Sequence, residues 1–123
     1  MAFAEKFEEL KVWQEARMLV KATYLIFKPC KDYTFRDQIQ RAAISVMNNI
    51  SEGFERKTKK DFAHFLDLAK ASSGEVRSML YAAEDLQYIS SSDAIALREH
   101  SSQLSRSIGS LASKLRQQFN SSK

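Results

Sequence analysis

The sequence predicts an all-α fold, an antiparallel up-down-up-down four-helix bundle. One proline and three glycines in 123 residues are too few for the many turns of an all-β or βαβ chain. Apolar residues instead recur at helical spacing in four long segments. Short connections between these segments favour antiparallel neighbours. We therefore expect a single domain over residues 1–123, with helices at about 10–27, 35–55, 59–89 and 93–119.

The first two helices are separated by the segment KPCKDY. Apolar residues three or four apart define the first helix, namely Trp13, Ala16, Val20, Tyr24 and Phe27. Pro29 ends it, because proline lacks an amide donor and disfavours helical geometry at Lys28. Thr34 offers an N-cap for the second helix, which then runs to about Glu55.

Two further caps place the third and fourth helices. Thr58, with Asp61 three residues later, forms a capping-box variant at the start of the third helix, whose apolar stripe runs to about Ile89. The segment SSSD supplies a turn and an N-cap for the fourth helix. The apolar face of that helix comprises Leu97, Leu104, Ile108, Leu111, Leu115 and Phe119.

Positive charge is concentrated in two segments of the chain. Basic and acidic side chains number eight and four in residues 28–60, two and five in residues 61–90, and five and two in residues 91–123. The predicted topology places the second connection and the C-terminus of the fourth helix at the same end of the bundle. We call this the basic end and assign to it Arg56, Lys57, Lys59, Lys60, Lys114 and Arg116, with Lys123 beyond them.

The second helix also carries a polar stripe within an arc of roughly 80°, at about 100° per residue. One interpretation is a solvated face, supported by an i,i+4 pair of Glu52 with Arg56. The other is a buried or interfacial network in which Glu75 of the third helix is a partner for Arg41 or Arg56. The stripe consists of Gln38, Arg41, Ser45, Asn49, Glu52 and Arg56, and the predicted network consists of Gln38, Arg41, Ser45, Asn49, Glu52 and Glu75.

Three motifs in order resemble one known family over about residues 7–89. They are FEELKVWQEA in the first helix, QIQRAAISVMNNISEGFER in the second and FAHFLDLAKASSGEV in the third. The family comprises small bacterial four-helix proteins encoded in intervening sequences of 23S ribosomal RNA genes, and related chromosomal proteins. The sequence departs from the family pattern at Gln40, Met47, Ala71 and Ser73. Gln40 stands in place of a second arginine, which removes one cation from the helix.

The resemblance implies a four-helix bundle that assembles as a ring-shaped homopentamer. It also implies a distant similarity to the accessory protein of diversity-generating retroelements, which binds nucleic acid and a reverse transcriptase. Most members of the family have no established function. The resemblance therefore implies an assembly and a class of ligand without naming a biological role.

Two non-catalytic functions stay open at this point. The first is a nucleic-acid-binding module that uses the basic end to contact phosphates, with RNA preferred to DNA and backbone contacts preferred to base contacts. The second is a structural or adaptor oligomer whose partner is another protein. In that case the polar stripe and the small residues AKASSG of the third helix would make contacts between or within subunits.

An enzyme is the third hypothesis, and the sequence disfavours it. Glu52 and Glu75 could be paired carboxylates, but no nucleophile, metal-ligand set or phosphate-binding glycine loop accompanies them. His64 and His100 lack the spacing of di-iron bundles, and Cys30 is the only cysteine, so neither an internal disulfide nor a thiolate cluster is possible. We expect no catalytic residue, no cofactor and no metal.

The remaining expectations concern location and the aromatic residues. No run of about 18 apolar residues occurs and the N-terminus MAFAEKFEELK is charged, so we expect a cytoplasmic protein without membrane contact. Phe7, Trp13 and Phe27 could stack on bases. Their helical spacing favours packing in the core instead.

Overall fold

The computed structural model describes residues 4–121 of the chain, and side chains to residue 120. Within this range four helices form, no strand occurs, and a short 3-10 helix at Phe7–Glu9 precedes the first of them. The all-α prediction is confirmed. The helices are α1 (Lys11–Phe27), α2 (Tyr33–Phe54), α3 (Lys59–Asp85) and α4 (Ser91–Ser121).

Each helix packs against two others, in the order of a four-membered ring. Contacts join α1 with α2, α2 with α3, α3 with α4, and α4 with α1, whereas the diagonal pairs do not approach at the backbone within the described range. Neighbours run antiparallel, since Ser73 in α3 bonds to Ser101 and Ser105 in α4, and Glu84 further along α3 pairs with Arg98 nearer the start of α4. The up-down-up-down bundle is confirmed.

The core lies along the bundle axis and is made of the apolar stripes. Its largest fully buried side chains include Phe27, Leu19, Ile39, Leu66, Leu80 and Leu104. Phe7 and Trp13, with ring centroids 5.2 Å apart, pack against the core at its edge. The prediction that these aromatic residues serve packing is confirmed, because Phe27 has no exposed surface for a base.

Two helices begin earlier than the sequence predicted, because neighbouring side chains provide the caps. Asp32 rather than Thr34 caps α2, with its Oδ1 accepting from the Phe35 amide at 3.1 Å. Ser90, the first residue of the SSSD segment that was predicted to cap the fourth helix, caps α4, its hydroxyl accepting from the Asp93 amide at 3.1 Å. Thr58 caps α3 as predicted, accepting from the Asp61 amide at 3.0 Å.

The third helix ends at Asp85, four residues before the end of its apolar pattern. Gln87 has φ 60°, in the left-handed region, which stops the helix. The Tyr88 amide then bonds to the Ala83 carbonyl at 2.9 Å, as in a Schellman motif. Tyr88 and Ile89 continued the apolar pattern because they fold back onto the core from outside the helix.

The two connections at the end opposite the basic end are joined by a hydrogen bond. The Tyr88 hydroxyl donates to Asp32 Oδ2 at 2.6 Å, and the Phe35 and Tyr88 rings meet at 5.3 Å. This hydrogen bond and the Phe35 amide lower the pKa of Asp32, and the carboxylate raises the pKa of Tyr88. The connection between α2 and α3 and the C-terminal part of α4 lie at the other end.

Candidate nucleic-acid interface

The connection between α2 and α3, together with the first turn of α3, carries the densest group of basic side chains. Lys57 and Lys60 are exposed, Lys59 is half-buried, and no described carboxylate forms an ion pair with any of the three. Arg56 differs, because its Nη2 lies 3.6 Å from Glu52 Oε1 and its guanidinium lies 4.7 Å from the centre of the Phe65 ring. The three lysines therefore keep positive charge available to an anion in solution.

Arg116 is close to this end but its charge is neutralised. It donates through both terminal nitrogens to the Asp67 carboxylate, with one of the two distances 3.2 Å. This carboxylate raises the pKa of Arg116. Asp67 is eight residues into α3, so the pair lies about 12 Å along the helix from Lys59. Arg116 is consequently a weaker phosphate ligand than the sequence predicted.

Lys114 lies on a different side of α4 from Arg116. It lines a groove between α1 and α4, together with Lys11 and Arg106. No described carboxylate forms an ion pair with Lys114. Lys123 is outside the described residues. The structure thus groups Lys57, Lys59 and Lys60 where α3 begins, and places Lys114 and Arg116 apart from them on α4, with Arg116 already paired.

The middle of the polar stripe joins α2 to α3. Ser45 and Ser72 hydroxyls are 2.9 Å apart, and the Asn49 side-chain amide donates to the Ser45 carbonyl at 2.9 Å and to its hydroxyl at 3.0 Å. All three side chains are half-buried. These short polar residues form an inter-helix contact that the spacing in α2 alone indicated without locating its partner.

The other four members of the predicted network are not buried within the described part of the chain. Gln38, Arg41 and Glu52 are exposed on α2, and Glu75 is exposed on α3. Neither Arg41 nor Glu75 bonds to another described residue, so the predicted internal ion pair does not form. The reason is geometric, since the outer edge of α2 has only α1 and α3 beside it and no helix above it. The interfacial alternative stays a prediction.

Three basic residues that the sequence analysis did not single out meet in the groove between α3 and α4. Lys70 and Arg77 come from α3 and Arg106 comes from α4. The acidic balance of residues 61–90 concealed Lys70 and Arg77, because a segment total does not show which face carries each charge. The signal was the seven-residue spacing of Lys70 and Arg77, which puts both on one side of a helix.

The two carboxylates considered as a catalytic pair, Glu52 and Glu75, do not lie together. Glu52 pairs with Arg56, whereas Glu75 stands ten residues, about 15 Å, further along α3 than Phe65, the ring that Arg56 covers. Among residues 4–121 no three His, Cys, Asp or Glu side chains are placed to hold a metal ion. No helix in the same range has the length and apolar character to cross a bilayer.

Comparison with known proteins gives a family and a fold. No curated protein matches the sequence. A crystal structure of a protein of unknown function from the S23 ribosomal protein family of Bacteroides thetaiotaomicron is similar, with a TM-score of 0.78 and 19% sequence identity, over 82% of this chain and 97% of that one. At that identity the likeness concerns the fold. The family model described as 23S rRNA-intervening sequence protein matches residues 8–110, and the chain therefore belongs to this family.

Proposed function

We propose that the protein is a non-catalytic, oligomeric module that binds the backbone of a nucleic acid through its basic end. The observation that carries this proposal is the group Lys57, Lys59 and Lys60, three cations within four residues that pair with no described carboxylate. Arg56 extends the group while sharing its charge with Glu52.

Lysines suit backbone contacts better than base contacts. An ammonium on a flexible stem acts as a point charge, whereas the arginine guanidinium is a rigid fork that suits bidentate contacts to a base edge. Each phosphate that a lysine neutralises releases counterions and adds about 0.9 to the slope of log affinity against log salt on a duplex. Binding should therefore depend steeply on salt and weakly on sequence. The family name refers to ribosomal RNA, so RNA is the first ligand to test and DNA the second.

Assembly into a homo-oligomer, a pentamer by resemblance, is part of the proposal. Arg41 and Glu75 lie one helical turn beyond the contact of Ser45 with Ser72, at similar height on adjacent helices, and neither bonds to another described residue. Leu68 on the same side of α3 is 41% exposed. Opposite charges beside an exposed apolar residue fit a contact with a second subunit. A ring would repeat the basic end and convert weak single contacts into avidity.

The test is a titration of a labelled RNA hairpin at several salt concentrations. The variant replaces Lys57, Lys59 and Lys60 by Glu, and its matched control replaces Lys21, Lys28 and Lys31, on α1 and at the far end, by Glu. We expect the first variant to lose binding and the control to keep most of it, with both eluting as the same oligomer as the wild type. Equal affinity and equal salt slope in the two variants would refute the role of the basic end.

The second candidate function is a structural or adaptor oligomer that binds a protein partner. The exposed side chains Arg41 on α2 and Glu75 on α3, which pair with no described residue, favour it, because such a face fits a protein surface as well as a second copy. The hairpin titration separates the two candidates. If the intact oligomer binds neither RNA nor DNA at low salt, the adaptor function replaces the nucleic-acid function.

A further inference from the structure

The groove between α3 and α4 contains a second group of cations, separate from the basic end. Lys70 and Arg77 of α3 face Arg106 of α4 across a groove of about 520 Å³. Lys70 and Arg77 are seven residues apart, about 10.5 Å along the helix axis. The group therefore forms a row rather than a single cluster.

Contacts with α4 direct two of these side chains across the groove. A Cβ added to Gly109 would lie 3.3 Å from Lys70 Nζ, so the ammonium rests over a position where α4 has no side chain. Arg77 Nη1 donates to the Ser102 hydroxyl at 3.0 Å. The two positive charges are thus already positioned toward the groove, which reduces the side-chain entropy that is lost when an anion binds there.

The acidic groups near the groove are mostly taken by other partners. Asp67 accepts from Arg116, and Glu84 accepts from Arg98 at 2.7 Å. Glu99 lines the continuation of the groove and is the one carboxylate there without a described ion pair. Lys70, Arg77 and Arg106 form no ion pair with any described carboxylate. The groove therefore has an excess of positive charge.

The floor of the groove consists of small residues. Ala71 and Gly74 line it from α3, and a Cβ at Gly74 would meet nothing within 4 Å. Ser102 and Ser105 line it from α4, and because the buried Ser105 hydroxyl donates to Ser73, the Ser102 hydroxyl is the one left to donate to a ligand. A partner backbone can approach such a floor closely. No apolar pocket is present among these lining residues to anchor a peptide side chain, which is where peptide affinity usually resides.

A row of cations over a floor of small residues fits a chain with regularly spaced negative charges. A phosphodiester backbone has this form, and the arginine guanidinium groups and the Ser102 hydroxyl are donors suited to its oxygens. Packed helix axes lie about 8–10 Å apart, so the groove between them is too narrow for a duplex to enter. A single strand is narrower than a duplex and fits a groove of this width.

We propose that the α3–α4 groove binds a single-stranded segment of nucleic acid, with Lys70, Arg77 and Arg106 holding its phosphates. This inference rests on the proposed function and adds a second contact surface to it. Lys60 precedes Lys70 by about 15 Å along α3, so one nucleic acid could occupy the basic end and continue into the groove. A duplex would contact the basic end while its single-stranded extension lies in the groove.

The first experiment compares variants with equal loss of charge. Lys70, Arg77 and Arg106 are changed to Gln, and the control changes Lys21, Lys28 and Lys31 to Gln. The ligands are a labelled oligouridylate and a labelled hairpin. Each lost phosphate contact removes about 0.7 from the slope of log affinity against log salt for a single strand, so the loss of three should lower this slope by about 2. The ratio of wild-type to variant affinity for oligouridylate should therefore be about 100-fold larger at 0.1 M salt than at 1 M salt. The control should retain the wild-type slope.

A second pair of variants changes the charge of the groove without removing its cations. Gly74→Glu and Gly74→Gln add side chains of similar size where a Cβ has free space. The carboxylate should offset about one contact, so Gly74→Glu should bind oligouridylate about fivefold more weakly than Gly74→Gln at 0.1 M salt. Hairpin binding should differ much less within the pair.

The outcomes distinguish failure of this inference from failure of the proposed function. If the wild type binds the hairpin, and both groove tests leave oligouridylate binding unchanged, the groove inference is overturned and the basic end stands. If the wild type binds neither RNA at low salt, both are overturned. If polyglutamate binds the groove as tightly as oligouridylate and displaces it, the groove is a site for acidic peptides and the inference is again overturned.

Discussion

Of the three glycines, Gly53 of α2 lies closest to a neighbouring helix, which is α3. A Cβ at this residue would lie 2.6 Å from Phe65 Cβ, 3.0 Å from Phe62 Cδ1 and 3.3 Å from the Phe62 carbonyl oxygen. Phe65 Cβ is fixed to the backbone and cannot move by side-chain rotation. A methyl group at Gly53 must therefore push the two helices apart or distort one of them.

The expected cost of Gly53→Ala follows from two opposing effects. Overpacking costs typically about 1–3 kcal/mol. Alanine is better than glycine inside a helix by about 0.5–1 kcal/mol, which offsets part of this. We expect a net destabilisation of about 1 kcal/mol. Gly74 is the matched control, because its Cβ would meet nothing within 4 Å and Gly74→Ala should keep the whole helical gain.

Urea unfolding followed by far-UV circular dichroism measures both variants at one protein concentration. With an m value of about 2 kcal/mol/M, Gly53→Ala should lower the midpoint by about 0.5 M. Gly74→Ala should raise it by about 0.4 M at the same m value. A Gly53→Ala variant as stable as Gly74→Ala would show that α2 and α3 are not in this close contact, and the argument would fail.

Two further predictions concern charged side chains. Arg41→Ala should change the stability of a single subunit by less than about 0.5 kcal/mol, as for other exposed sites. If Arg41 lies at a subunit contact, however, its loss should make the melting temperature depend more strongly on protein concentration than Gln40→Ala does. Identical concentration dependence would exclude an interfacial role. Tyr88→Phe removes the hydrogen bond that is the main cause of the lowered pKa of Asp32. In the wild type, the stability that this bond adds is fully present above the ordinary Asp pKa and is lost as pH falls through the lowered pKa of Asp32. At alkaline pH the same stability is lost as pH rises through the raised pKa of Tyr88. The difference in melting temperature between Tyr88→Phe and the wild type should therefore be largest near neutral pH. Tyr33→Phe, whose hydroxyl bonds to no described residue, is the control. A Tyr88→Phe difference that is constant from acid to alkaline pH would contradict the role of the hydrogen bond.

Local signals predicted the helices and most of their limits. The apolar stripes have the helical period, because each helix must bury one side, and the buried residues Ala16, Leu66 and Ile108 confirm these stripes as the core. Pro29 lies in the first connection and Thr58 caps α3. The errors arose where the determining contact lies outside the local pattern. Tyr88 belongs to the core without belonging to a helix, because Gln87 turns the chain back.

The position of each charge was decided by which helices lie side by side. Arg41 and Ser45 are four residues apart on the same polar stripe of α2. Ser45 is half-buried, yet Arg41 is exposed because no helix covers the outer edge of α2. Lys70 and Arg106 are 36 residues apart in the chain, and only the antiparallel packing of α3 on α4 makes them line one groove. Helical periodicity is a property of neighbouring residues and can be read along the chain. A cation can be neutralised, as Arg116 is by Asp67, or it can stay exposed and unpaired. Which of the two occurs depends on distances that exist only after the helices have packed.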